Sequence, residues 1–114
     1  MKYLLLLFLA LPSYASTNWV EFTATAYCSC KKCCGPNAQG ITASGHKLKE
    51  GDKVIAVDKT VIKFRSTVEI EGMGEYKALD TGSAIKGGII DIWMESHQDA
   101  LNWGRRKVRI RVKE

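Results

Sequence analysis

Nine of the ten glycines fall between Gly35 and Gly88, and the apolar runs they separate are short. Such runs alternate bulky and small side chains at a period of two, which is the spacing of strands. Glycine turns sharply because it takes positive φ without steric penalty, so a chain cut this way folds as strands joined by tight turns. Strands are expected at Trp19 to Tyr27, Val54 to Val57, Thr67 to Ile70, Tyr76 to Leu79, Ile89 to Trp93 and Val108 to Val112. The last has valine and isoleucine on one face and arginine on the other. One helix fits between the final two strands: Ser96 with Asp99 three residues on makes an amino-terminal cap, and Gly104 ends it. The expectation is an all-β domain, a small closed barrel without exposed strand edges, with one short helix near the C-terminus.

The first fifteen residues stand apart. Lys2 precedes an unbroken apolar run from Tyr3 to Leu11, Pro12 breaks it, and Ser13-Tyr14-Ala15 offers small residues where a signal peptidase reads. The run is about half of what a membrane span requires, about 20 residues. Residues 1–15 are therefore read as a signal peptide and 16–114 as one domain, exported to the periplasm, cell surface or medium without a lasting membrane anchor. The net charge of +5 then points away from nucleic acid and toward anionic polymers outside the cell.

All four cysteines, Cys28, Cys30, Cys33 and Cys34, lie within seven residues. Outside the cell this reads as two disulfides, Cys28 with Cys33 or Cys34 and Cys30 with the other. A compact zinc site and free thiols are the alternatives, and the adjacency of Cys33 and Cys34 departs from the usual Cys-x-x-Cys spacing of zinc ligands. No metal is expected.

Carboxylates carry the chemistry. Asp91 sits among isoleucines in "GGIIDIW", where a charge costs several kcal/mol unless it is paired or held protonated. Desolvation raises a carboxyl's pKa, which suits a general acid. Asp80 opens an Asp-Thr-Gly turn at a strand end and is placed to accept hydrogen bonds from backbone amides, while Asp58 follows another strand.

The stretch from Thr23 to Val112, including "TATAYCSCKKCCG", "GITASGHKL", "GDKVIAVDKTVI" and "YKALDTGSAIKGGIIDIW", resembles the 3D domain, a family named for three aspartates. The resemblance implies a double-psi β-barrel and cleavage of peptidoglycan glycan strands by a cofactor-free lytic transglycosylase. That enzyme breaks the β-1,4 bond from N-acetylmuramic acid to N-acetylglucosamine and leaves a 1,6-anhydro end. Carried onto this sequence, the three aspartates are Asp58, Asp80 and Asp91, with Asp91 as acid/base. Thr42 and Ser44 of the Thr-Ala-Ser-Gly turn would line the groove, and Lys86 would orient Asp80 or a substrate carboxylate. Tyr76, Trp93 and Trp103 are candidates for sugar stacking. The chain departs from the family after Asp58: two prolines are lost, and Arg65 stands where a glycine is usual. Two other readings compete, a non-catalytic glycan-binding barrel and an aspartic-protease half-site around "ALDTGSA". The latter motif lies too late in the chain for that fold.

Overall fold

The computed structural model describes residues 18–30 and 39–113; the expected signal peptide, Cys33 and Cys34 lie outside them. Six strands form a closed barrel: β1 (Val20–Tyr27), β2 (Val54–Ala56), β3 (Thr67–Ile70), β4 (Gly74–Asp80), β5 (Ile89–Trp93) and β6 (Arg106–Lys113). Around the barrel they run β1-β5-β2-β4-β3-β6. Two pairs, β1 with β5 and β2 with β4, are parallel, and the other four are antiparallel. This is the small closed barrel expected from the strand pattern, and the double-psi barrel that the resemblance implies. The helix α1 (His97–Trp103) joins β5 to β6, with the Ser96 hydroxyl accepting from Asp99 N at 3.0 Å.

The alternation read from the sequence sets which side chains fill the barrel. Phe22 and Ala24 from β1, Ile55 from β2, Val68 and Ile70 from β3, Tyr76 and Ala78 from β4, Ile90 and Ile92 from β5 and Ile110 from β6 form one buried cluster. Small residues are needed as well as large ones in so narrow an interior, and Ala24 and Ala78 are both fully buried.

The outer face of β6 carries Arg109, Arg111 and Lys113, and these are matched. Arg109 makes a two-pronged contact with Glu71, at 2.7 and 2.8 Å. Arg111 meets Glu69 at 2.9 Å and Lys113 meets Glu75 at 2.6 Å. Much of the C-terminal basic charge is thus spent within the fold.

Register decides where the aspartates go. Ala56 of β2 pairs with Asp91 on one side and with Asp80 on the other, and Asp91 pairs in turn with Thr25 of β1. Val54 and Ile55 pair with Lys77 and Ala78, so an unbroken ladder would set Leu79 opposite Ala56; a shift between Ile55 and Ala56 sets Asp80 there instead. An extra residue in one strand re-aims the next side chain. Thr25, Asp91, Ala56 and Asp80 therefore stand in one row on the outer face, directed away from Ile55, Ile90 and Ile92.

The loop after β2, where the sequence departs from the family pattern, makes a turn at Arg65. Arg65 has φ 71, in the left-handed region that favours glycine, and its amide donates to Ala78 O at 2.7 Å. A residue with a Cβ thus takes up a left-handed conformation that glycine adopts without steric cost. Arg65→Gly should therefore raise unfolding stability by roughly 0.5–1 kcal/mol, the relief of left-handed strain less the added chain entropy. Arg65→Ala, which removes the guanidinium contact with Phe64 but not the strain, should give no gain in the same urea denaturation experiment.

Candidate active site

Asp91 and Asp80 are two strands apart across Ala56, so their Cα atoms are separated by about 10 Å at ordinary strand spacing. Ala56, the middle member of the row, is buried and has too small a side chain to stand between the two carboxyls.

Their environments differ. Asp80 is tied down by three donors: Tyr27 OH reaches Oδ2 at 2.7 Å, while the amides of Ala43 and Thr81 reach Oδ1 at 2.9 Å each. Asp91 is held by one, the Thr25 hydroxyl at 2.8 Å from Oδ1, and its second oxygen has no hydrogen bond among the described residues. Burial pushes the Asp91 carboxyl above its ordinary range; the Thr25 hydrogen bond opposes this and the charge of Asp80 adds to it.

Asp58 behaves differently again. Its carboxylate accepts from Thr60 N at 3.0 Å, Thr60 Oγ1 at 2.7 Å and Gly87 N at 2.9 Å. These bonds, Gly87 first, bring its pKa down to about 2. They tie the turn after β2 to the loop before β5, which is a structural task. Lys86 is exposed and its charge bears on Asp58; the donors to Asp80 are Tyr27, Ala43 and Thr81 instead.

The Thr-Ala-Ser-Gly turn closes one side of the site. Thr42 N donates to His46 O, Gly45 N to Thr42 O, and Ser44 N to Leu79 O, the carbonyl freed by the register shift in β4. Thr42 Oγ1 and Ser44 Oγ lie 2.8 Å apart, and Thr42 is only 4% exposed. Thr42 thus shapes the turn from within, Ser44 is half-buried, and the Ala43 amide makes the contact with Asp80.

The aromatic residues are placed otherwise than the stacking reading expects. Tyr76 is 9% exposed and belongs to the core. Trp93 is 7% exposed, with its indole N–H on Ser29 Oγ at 2.8 Å. Trp103 donates to Ala24 O at 2.9 Å and has the Arg106 guanidinium 4.1 Å over its ring. A barrel this small buries its large rings for want of other apolar volume, which leaves little ring face for a sugar. A cleft of about 330 Å³ is lined by Asp58, Thr60, Thr81, Ser83 and Lys86 among others, and neither Asp80 nor Asp91 belongs to its lining.

Thr25 and Tyr27 are the site residues that sequence reading missed. Both lie on the same face of β1 by alternation, and that was legible. What was not legible is that β1 runs parallel to β5 in the register that puts Thr25 opposite Asp91.

Among the cysteines, Cys28 is disulfide-bonded and Cys30 is a free thiol. The second disulfide expected of Cys30 is therefore not formed: its sulfur packs against Cys28 Sγ at 2.9 Å and His97 Nδ1 at 3.5 Å.

A family model described as the 3D domain matches residues 53–113. The chain is 46% identical over 92 residues to the cell wall-binding protein YocH of Bacillus subtilis, covering 79% of this chain and 31% of that protein. It is 43% identical over 91 residues to the putative cell wall shaping protein YabE of the same organism, covering 79% and 22%. Among solved structures it is similar to MltA from E. coli, with 26% identity, TM-score 0.52 and coverage of 68% of this chain and 28% of that one. A variant of the E. coli lytic transglycosylase MltA in an apo form matches at 25% identity and TM-score 0.52, covering 63% and 26%. The chain thus spans less than a third of the length of each of these proteins.

Two titrations test the site. Removing the one donor to Asp91 with Thr25→Val should move the Asp91 midpoint upward, as read by NMR of the side-chain carboxyl, because the lost bond favoured the ionised form. Asp58, lowered from 3.8 to about 2, contributes stability that is present above pH 3.8 and lost as the pH falls toward 2. Asp58→Asn should lower the thermal midpoint at neutral pH and flatten its fall over that interval.

Proposed function

Because this chain belongs to the 3D domain family, we propose that it is a peptidoglycan lytic transglycosylase barrel in which Asp91 is the acid and base. The observation that carries this reading is the division of labour among the three aspartates. Asp58 and Asp80 have their oxygens taken up by donors, while Asp91 alone combines a raised pKa with an uncommitted oxygen.

In this reading the protonated Asp91 donates to the glycosidic oxygen between N-acetylmuramic acid and N-acetylglucosamine as that bond breaks. Positive charge develops on the muramic acid ring, where the nearby negative charge of Asp80 favours it. The Asp91 carboxylate then takes the proton from the sugar's own 6-hydroxyl, whose oxygen attacks the anomeric carbon and closes the 1,6-anhydro ring. Ordinary glycosidases need a second carboxyl as nucleophile or as base toward water. Three hydrogen bonds restrain Asp80 from either task, which favours the one-acid reaction. Tyr27 and Ala43 are positioning groups, since they act by holding Asp80. The similarity to MltA and to wall-binding and wall-shaping proteins supports peptidoglycan strands as partner and an exported location.

A non-catalytic wall-binding barrel is the second reading, favoured by the description of YocH as cell wall-binding. One substitution separates the two. With Asp91→Asn, lytic activity on purified peptidoglycan should fall roughly 10²- to 10⁴-fold, the scale of general acid–base catalysis, and anhydro-muramic ends should vanish from the mass spectrum of the digest. Retained wall binding with no products from either protein would favour the binding module.

The same variant should melt at a higher temperature at neutral pH. Asp91's raised pKa means that folding is disfavoured once the carboxyl must ionise, and asparagine removes that penalty. Loss of activity with a gain in stability would rule out misfolding as the cause. In the wild type, activity should decline as the pH rises through the Asp91 pKa, because the donating form is lost.

A further inference from the structure

Three potential ligand atoms converge where β1 ends and α1 begins. Cys28 follows the last residue of β1 and is 1% exposed; Cys30 lies two residues on, and His97 is the first residue of α1. His97 Nδ1 is 3.6 Å from Cys28 Sγ and 3.5 Å from Cys30 Sγ, and the two sulfurs are 2.9 Å apart. All three atoms lie within 4.8 Å of one another.

Two sulfurs and an imidazole nitrogen are the donor set of a zinc-class cation, and they are unsuited to magnesium or calcium. Metal–sulfur bonds of about 2.3 Å and metal–nitrogen bonds of about 2.0–2.1 Å at tetrahedral angles give a sulfur–nitrogen edge of roughly 3.5 Å. Both sulfur–nitrogen distances fit. The sulfur–sulfur edge of such a site is roughly 3.8 Å, so a cation would spread the two sulfurs by about 1 Å. Cys30 is a half-buried free thiol on a bend, with no disulfide to hold its sulfur in place.

We propose that, in the reduced protein, Cys28, Cys30 and His97 hold a zinc-class cation. Cys28 is disulfide-bonded in the structure, and a cystine sulfur does not act as a thiolate ligand. A dithiol reductant gives that bond two electrons and two protons and is itself oxidised to a disulfide. Each of the two ligating thiols then releases its proton as the cation binds. The disulfide and the cation are thus alternative clamps on the same sulfur. Bound, the cation would fasten the segment after Tyr27 to α1, next to the strand that carries Thr25 and Tyr27. This inference does not rest on the proposed catalytic activity.

The test uses the full chain, reduced with a dithiol, freed of reductant without oxygen and titrated with Co²⁺. The expected result is a thiolate-to-cobalt charge-transfer band that saturates at one cation per chain, is displaced by Zn²⁺, and accompanies a rise in the thermal midpoint. Cys30→Ser, His97→Ala and the milder His97→Gln should each weaken binding on the order of tenfold or more, with circular dichroism confirming that the barrel is folded. No charge-transfer band in the reduced wild type would overturn the proposal. So would a band of undiminished affinity in folded Cys30 and His97 variants, which would place the metal on the other cysteines.

Discussion

The ladder between β2 and its two neighbours governs everything that this molecule presents to a ligand. β2 has only three residues, all buried, and it lies between the strands that carry Asp91 and Asp80. A slip of one residue in a strand exchanges its inner and outer faces. Here the departure from a regular ladder is what brings Asp80 outward, since the regular continuation would have set Leu79 opposite Ala56. The carbonyl of that same Leu79 then receives Ser44 N, so one irregularity aims a carboxylate and docks the turn beside it.

Around this frame the three aspartates, chemically identical, are made unlike by the number of donors they meet. Asp58 and Asp80 are each satisfied three times over, and Asp91 once. Burial adds to the difference, because it acts on the carboxyl with the fewest compensating bonds. Holding the Asp91 carboxyl in so buried a place costs the fold some stability once it ionises.

Much of the architecture was legible in the sequence because alternation and glycine spacing are local signals. Each expected strand is present with small shifts at its ends; Ile89–Trp93 and Thr67–Ile70 coincide with the reading, and the Ser96 cap forms as expected. Asp91's peculiarity was also legible, since a carboxylate among isoleucines is a local anomaly. The partners were not. Thr25 and Tyr27 meet Asp91 and Asp80 across 66 and 53 residues of chain, and only the closed topology brings them together. The aromatics misled for a related reason: a tryptophan suits stacking and core equally in sequence, and the limited apolar volume of a small barrel decides for the core. The contacts of Asp58, and the charge of Lys86 beside it, arise between loops that no periodicity encodes.

The acidic residues opposite β6 have a consequence for assembly of the barrel. β6 is the last strand in the chain, and it seals the ring by pairing with β1 and β3. Glu69 on β3, Glu71 in the turn beyond it and Glu75 on β4 reach Arg111, Arg109 and Lys113 across that seam. Such pairs act over a distance that ionic strength sets and contribute little once formed on a wetted surface. Their larger effect would be on alignment as the final strand arrives, when opposite charges in step favour one register over its neighbours.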